Sequence, residues 1–200
     1  LIKPETEFLD LPKSINCYGF PIREYDNEIP SDLTAEQIFV RSGNIGSVRI
    51  AQKVGPEKFK SFLEKIGVLS DIQFDIEEVA PQKNYNFGKC KLATASFGHG
   101  VATTILQLAK GYAILSNGGY DIKPTLVKNN LEKNAKKKKL LNKGVSEQVV
   151  NALRKIVSTE EGTAKFADVE YFEIGGKTGT ADQPKDGAYS EAKINTFASI

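Results

Sequence analysis

Lys177-Thr178-Gly179-Thr180-Ala181 follows Gly175-Gly176 late in the chain, and Ser42-Gly43-Asn44 stands far ahead of it. Acyl transfer on a peptide needs a nucleophile, a group to activate it, an oxyanion hole and an anchor for the substrate. A strand edge bearing K-T-G-T supplies several of these. Gly179 leaves the strand face bare, so another backbone can approach closely. The Thr178 and Thr180 hydroxyls can hydrogen-bond a carboxylate, with Lys177 adding a positive field nearby. The Thr180 N–H can point at a developing oxyanion. Ser42 and Asn44, presented from a helical side, could relay a proton and hold a substrate amide. Taken singly, each motif reads as a glycine-rich turn or an unrelated helix break; only their joint occurrence points to a site.

The elements that must position these residues follow from capping and periodicity. Thr34-Ala35-Glu36-Gln37 is a capping box, so a short helix begins there and carries Ile38, Phe39 and Val40. Gly43 is expected to break it. Ile45, Val48, Ala51 and Val54 then recur on one helical face that Gly55 closes. Pro56 opens a third helix, with Phe59, Phe62, Leu63 and Ile66 as its apolar stripe, ending at Gly67. The S-x-N triplet is thus a tight connection between two helices, which exposes its side chains. From Thr103 or Thr104, the pattern Ile105, Leu108, Ala109, Tyr112 and Leu115 predicts a buried helix stopped at Asn117-Gly118-Gly119. A further helix led by Val145-Ser146 turns Val149, Leu153, Ile156 and Val157 inward. Tyr171–Ile174 and Asn195–Ile200 are expected as strands beside Gly175–Ala181, and another strand starts near Pro124. Residues 1–30, with Pro4, Pro12, Pro21 and Pro30, read as a looping lead-in, and residues 70–91 as irregular.

The composition narrows the class. The 200 residues are 40% hydrophobic and 26% charged, ordinary for a globular chain and enough to bury a core. A net charge of +2 carries no nucleic-acid footprint at the level of the whole chain. No apolar stretch is long enough to span a bilayer, and the N-terminus has no signal-peptide pattern. The chain contains no methionine, opens on Leu1 and ends on what reads as a strand cut before its exit turn, so it is expected to be an internal fragment of a longer protein. Cys17 and Cys90 are too distant for a metal or redox motif; one bridge between them is an open alternative. His99, between Gly98 and Gly100, reads as a polar turn residue rather than a catalytic one, and with no clustered Cys, His or carboxylates no metal and no cofactor are expected. Lys136–Lys139 reads as a solvated loop tip between strands rather than a lipid- or polymer-binding patch.

S-x-N with a later K-T-G, joined to an upstream S-x-x-K, is the motif set of serine β-lactamases and penicillin-binding proteins. The chain resembles the transpeptidase domain of class B penicillin-binding proteins, of the septal, division type. Gly19–Asn27 is similar to the segment ahead of the S-x-N helix in division-type members, and Ile38–Gly46 to the family's S-S-N-I-G stretch. Phe97-Gly98-His99-Gly100, Thr103-Thr104 and Leu106–Ala109 match F-G-Q/H-G…T-P-x-Q-L-A. Tyr112–Gly119 resembles A-Y-A-x-I-A-N-G-G, and Glu161-Gly162-Thr163-Ala164 the G-T-A turn ahead of K-T-G-T-A. The resemblance implies an α+β fold, an antiparallel sheet flanked by helices with a mainly helical lobe, incomplete at both ends of residues 1–200. It implies a peptidoglycan D,D-transpeptidase that cross-links D-Ala-D-Ala stem peptides through a serine acyl-enzyme and is trapped by β-lactams. Ser42, Asn44 and Lys177 take catalytic roles, and Thr178, Gly179 and Thr180 bind substrate. The implied parent is anchored in the inner membrane, outside this segment, with the domain in the periplasm or extracytoplasmic space and divisome proteins as its partners.

Two departures are visible. Gly43 stands where this type usually has serine. The only S-x-x-K in the chain, Ser190-Glu191-Ala192-Lys193, follows K-T-G-T instead of preceding S-x-N; it is rejected as the nucleophile. The nucleophile is expected upstream of Leu1, and this segment alone is expected to be inactive. Rival readings are a β-lactam sensor, a D,D-carboxypeptidase and a β-lactamase of the same fold. The interval between S-x-N and K-T-G-T holds the long Phe97–Gly119 block and no clear E-x-x-L-N deacylation loop, which disfavours the β-lactamase.

Overall fold

The computed structural model describes residues 2–72, 74, 85–126, 138–185 and 188–200. In chain order these form β1 (Glu7–Phe8), β2 (Ser14–Cys17), β3 (Phe20–Arg23), β4 (Leu33–Thr34), α1 (Ala35–Val40), α2 (Asn44–Val54), α3 (Pro56–Lys65), α4 (Lys89–Ala95), α5 (Ile105–Ser116), α6 (Lys143–Ser158), a 3₁₀ turn (Lys165–Ala167), β5 (Gly176–Lys185) and β6 (Ala188–Ser199). The architecture is α+β, with three antiparallel strand pairs: β1 with β4, β2 with β3, and β5 with β6.

The sequence signals act where they were read. Thr34 caps α1 through both arms of the capping box read there; at the start of α5, read only as a helix beginning at Thr103 or Thr104, Thr104 and Gln107 form a second box. Gly55, at φ 87°, ends α2 in a conformation that a side chain would resist. In α6, Leu153, Ile156 and Val157 are buried, while Val149 packs at the cluster's edge.

Helix α1 is short but sits between two cores. Ile38 and Val40 lie about 200° apart around a helix of 3.6 residues per turn. Ile38 therefore joins Leu11, Ile22, Leu33, Ile45 and Val48 on one side, and Val40 joins Leu153, Ile156, Val157 and Ala164 on the other. Fully burying one such aliphatic side chain stabilises by about 1.5–3 kcal/mol. Gly46 lets α2 press onto α1, since a Cβ there would come within 2.5 Å of Ile38 Cγ1. The loop between α1 and α2 is thus clamped from two sides.

Several expectations are corrected. Residues 1–30 are not only loop: Tyr18 and Gly19, both at positive φ, make the two-residue turn of the β2–β3 hairpin. Residues 89–95 form α4, whose first three residues fall in the stretch 70–91 read as irregular. Cys17 at the hairpin end and Cys90 on α4 are joined as a disulfide, with Cα atoms 5.7 Å apart. In α5 the buried residues are Gln107, Gly111 and Ile114, whereas Ile105 is 89% exposed. That helix is apolar nearly all round, so periodicity could not choose its face. Gly111 chooses it by allowing close approach to Val68, and the Gln107 amide is satisfied by Ser70 O and the Thr104 N–H. Tyr171–Ile174 is turn and loop, not strand; Tyr171 and Phe172 are exposed and pair with no strand among the described residues. Residues 124–126 are not strand either, and the rest of that expected strand, with Lys136 and Lys137, lies outside the described residues.

Candidate active site

Strand β5 carries K-T-G-T in regular antiparallel pairing, with Lys177 opposite Ala198, Thr178 opposite Phe197, Gly179 opposite Thr196 and Thr180 opposite Asn195. Strand alternation sends Lys177 and Gly179 to one face and Thr178 and Thr180 to the other. The glycines ahead of it have separate reasons. A Cβ on Gly175 would crowd the α6 backbone at Arg154 N (3.1 Å), and one on Gly176 would strike the Phe197 ring at 2.5 Å. Among the described residues β5 has a hydrogen-bonded neighbour strand on one side only.

The loop motif is built differently. The Ser42 N–H donates to Phe39 O and the Gly43 N–H to Ile38 O, the two bonds of a Schellman helix end. The left-handed position of that motif belongs to Ser42, at φ 58°, while Gly43 has an ordinary φ of −65°. The helix is therefore broken by Ser42 and not by Gly43, a correction to the sequence reading. A non-glycine residue in that region costs roughly 1–2 kcal/mol, so the site places serine where stability favours glycine.

What holds Ser42 is Lys177. Its Nζ donates to Ser42 Oγ at 2.6 Å, across 135 positions of chain, and to Thr178 O at 3.1 Å. Burial pushes the Lys177 ammonium down to about 8, because the charged form loses water. A lysine in that state bonded to a serine hydroxyl can pass a proton to or from it.

Asn44 opens α2. Its side-chain Nδ2 donates to Arg23 O at 2.9 Å. Its backbone N–H donates to Glu24 Oε2 at 2.6 Å, and the Ile45 N–H donates to Glu24 Oε1 at 2.9 Å. Gly43 has no side chain with which to cap α2, so a carboxylate 20 residues upstream does so, charge-matched to the helix N-terminus. Tyr25 adds a bond from its hydroxyl to Arg41 O at 2.8 Å.

On the other face, Thr178 Oγ1 lies 2.9 Å from Thr163 Oγ1, and the exposed Thr180 hydroxyl donates to Asn195 Oδ1 at 3.1 Å. The structure thus brings Ser42 and Lys177 into contact, holds Asn44, two positions on from Ser42, against Arg23 O and Glu24, and puts both threonine hydroxyls on the opposite strand face. Sequence reasoning missed Glu24, Tyr25 and the contact of Thr163. The available signals were the family-like segments Gly19–Asn27 and Glu161–Ala164, which contain these residues, and the uncapped start of α2 after Gly43, whose N–H groups need acceptors from elsewhere.

Ser190 and Lys193 lie on β6, three residues apart, hence on opposite faces. Ser190 donates to Gln183 O at 3.0 Å, and Lys193 pairs with Asp182. His99 sits between Gly98 and Gly100, both at positive φ, with its ring 5.2 Å from that of Phe97. The open depression lined by Arg154, Asp168, Tyr171 and Phe172 includes none of the six motif residues.

Known proteins place this geometry. The penicillin binding protein transpeptidase domain matches residues 1–200. A protein of Mesostigma viride named peptidoglycan D,D-transpeptidase FtsI homolog is 30% identical, over 85% of this chain and 33% of its own. Penicillin-binding protein PbpB of Mycolicibacterium smegmatis is 28% identical, over 97% of this chain and 33% of its own. The chain spans about a third of the length of these curated relatives. In fold it is similar to the apo transpeptidase domain of Burkholderia pseudomallei penicillin-binding protein 3, with a TM-score of 0.84 and 24% identity over 99% of this chain and 60% of that one.

Proposed function

The chain belongs to the penicillin-binding protein transpeptidase family, and from that premise we propose that it carries the substrate-anchoring part of a peptidoglycan D,D-transpeptidase active site. The observation that carries this reading is the 2.6 Å contact joining the two motifs, Lys177 Nζ to Ser42 Oγ.

In the proposed reaction a serine hydroxyl attacks the carbonyl of the penultimate D-alanine of a stem peptide. The bond to the terminal D-alanine breaks, the leaving amine takes up the proton, and an ester to the enzyme remains. The amine of a neighbouring stem then attacks that ester, releasing the serine and forming the cross-link. A β-lactam enters by the same attack and stays as the ester. Lys177 and Ser42 form the proton relay and a positive field. The Thr178 and Thr180 hydroxyls, on the face of β5 opposite Lys177, hold the substrate carboxylate where the substrate lies along the strand edge left unpaired among the described residues. Gly179 admits the substrate backbone, the Thr180 N–H faces the oxyanion, and Asn44 takes the substrate amide once it lets go of Arg23 O.

The attacking serine, in S-x-x-K, belongs to chain upstream of Leu1, and the 200 residues by themselves form no acyl-enzyme. The whole protein is placed outside the cytoplasmic membrane at the division septum, among divisome partners. Support for division over elongation comes from Gly19–Asn27 and from the FtsI names of relatives. No helix among the described residues is long and apolar enough to cross a membrane.

Labelling with a fluorescent penicillin followed by intact-mass and peptide mapping tests the reading. The full-length protein is expected to carry one adduct on an upstream S-x-x-K serine, and the 200-residue segment none. An adduct on Ser190 or any other serine of the segment, or no adduct on the full-length protein, overturns it.

A further inference from the structure

The turn between α6 and the 3₁₀ turn, Glu161-Gly162-Thr163-Ala164, is built with more care than a connection needs. The Gly162 N–H donates to Thr159 O and the Ala164 N–H to Ile156 O, each at 3.1 Å. Ala164 is buried against Ile156 and Val157. Gly162 lies so close to the end of α6 that a Cβ would come within 2.0 Å of Ile156 O. Glu161 is clamped by Arg41 Nη2 at 2.6 Å, which ties the turn to the end of α1. The residue delivered by this rigid frame is Thr163, whose hydroxyl oxygen lies 2.9 Å from that of Thr178.

We propose that Thr163 is a positioning residue that sets the direction of the Thr178 hydroxyl and so makes Thr178 a donor to the substrate carboxylate. The inference rests on the reading of Thr178 as a carboxylate anchor. A hydroxyl has one proton to give and lone pairs to accept with, whereas a carboxylate only accepts. The pair Thr163–Thr178 can run in two directions. If Thr178 donates to Thr163, its proton is spent and a lone pair faces the carboxylate. If Thr163 donates to Thr178, the Thr178 proton is released toward the carboxylate, and the two bonds in series polarise each other. An arriving carboxylate selects the second direction, and a fixed Thr163 oxygen at 2.9 Å makes that state ready without movement.

The test uses the full-length protein and two probes, benzylpenicillin and its methyl ester, which differ in the carboxylate alone. Second-order acylation rates are measured for the parent, Thr163→Val, Thr163→Ser, Thr178→Val and the Thr163→Val/Thr178→Val double variant. Thr163→Val is expected to slow benzylpenicillin by about two- to tenfold, the worth of one neutral hydrogen bond, and to leave the ester unchanged. Thr163→Ser restores the parental preference for the acid, and the double variant is no slower than Thr178→Val. Equal loss on acid and ester, no loss, or additive losses in the double variant overturn the proposal. If Thr178→Val itself leaves the acid-to-ester ratio untouched, the anchor reading fails. If Thr178→Val collapses that ratio and Thr163→Val does not, only the present inference fails. Should Thr163→Val not fold, Thr163→Ala, which needs no new space, carries the same comparison.

Discussion

The S-x-N loop and the K-T-G-T strand meet at one hydrogen bond but are held in place by different means. Residues 177–180 sit in a ladder, each opposite a residue of β6, and their directions follow from strand alternation. Residues 42–44 have no ladder. They depend on a strained Ser42, on the two-sided packing of α1, and on the β2–β3 hairpin, which delivers Arg23 O and Glu24 to α2 and leads into Tyr25, bonded to Arg41. That hairpin is in turn tied to α4 by Cys17–Cys90. Precision from a ladder is local and survives distant changes. Precision from props is borrowed, so the loop should respond to changes that the strand ignores.

The largest expected break in this comparison is removal of the disulfide. Closing a loop of 73 residues stabilises by about 2–4 kcal/mol, so Cys17→Ser with Cys90→Ser lowers the melting temperature markedly. Native-state hydrogen exchange separates the regions: the amides of Asn44 and Ile45 lose protection, and those of β5 hold theirs relative to the global stability. Equal loss at both would show that the hairpin does not prop the loop.

Lys177→Ala comes next, with acylation of the full-length protein ten- to a hundredfold slower, about 1.5–3 kcal/mol for one charge-assisted contact. It also has a pH signature. Lys177 titrates near 8 in the fold against an ordinary 10.5, so the unfolded chain holds more protons between those values. Stability therefore gains a rising contribution as pH climbs from about 8 toward 10, and Lys177→Met removes it. Thermal melts of both proteins across that range check the sign.

Glu24→Ala strips two N–H groups of their cap and should destabilise by about 1–2 kcal/mol, with acylation falling further than Glu24→Gln, which keeps oxygen acceptance for one of them. The smallest effect belongs to Gly43→Ser. A Cβ at Gly43 meets only ordinary contacts, Glu24 Oε1 and Ile38 O at 3.7 Å, and its φ of −65° suits any residue. Melting temperature and acylation rate should both stay near parental values.

The same contrast explains what could be read from the sequence. The Thr34 capping box, the inward face of α6 and the K-T-G-T strand are local, written within a few residues, and the structure has them. The strand at Tyr171–Ile174 failed because apolar content alone does not supply a pairing partner. The face of α5 failed because Gly111 and a satisfied Gln107, not the apolar stripe, decide which side is buried. In the candidate site, the types and spacing of Ser42, Asn44, Lys177, Thr178 and Thr180 were legible, and of these the structure joins Ser42 to Lys177. Glu24 was not, since a cap delivered from 20 residues away leaves no local pattern. Nor was the role exchange between Ser42 and Gly43, where sequence habit assigns the unusual backbone to glycine.

A double-mutant cycle on Ser42 and Lys177 in the full-length protein tests the central claim most directly, namely that the two motifs act as one unit through the 2.6 Å contact. Acylation rates are measured for Ser42→Ala, Lys177→Ala and the pair. Residues that work together lose their effect jointly, so the double variant should be about as slow as the slower single one. Losses that simply multiply would contradict the account, because they would mean that Ser42 and Lys177 serve the reaction independently.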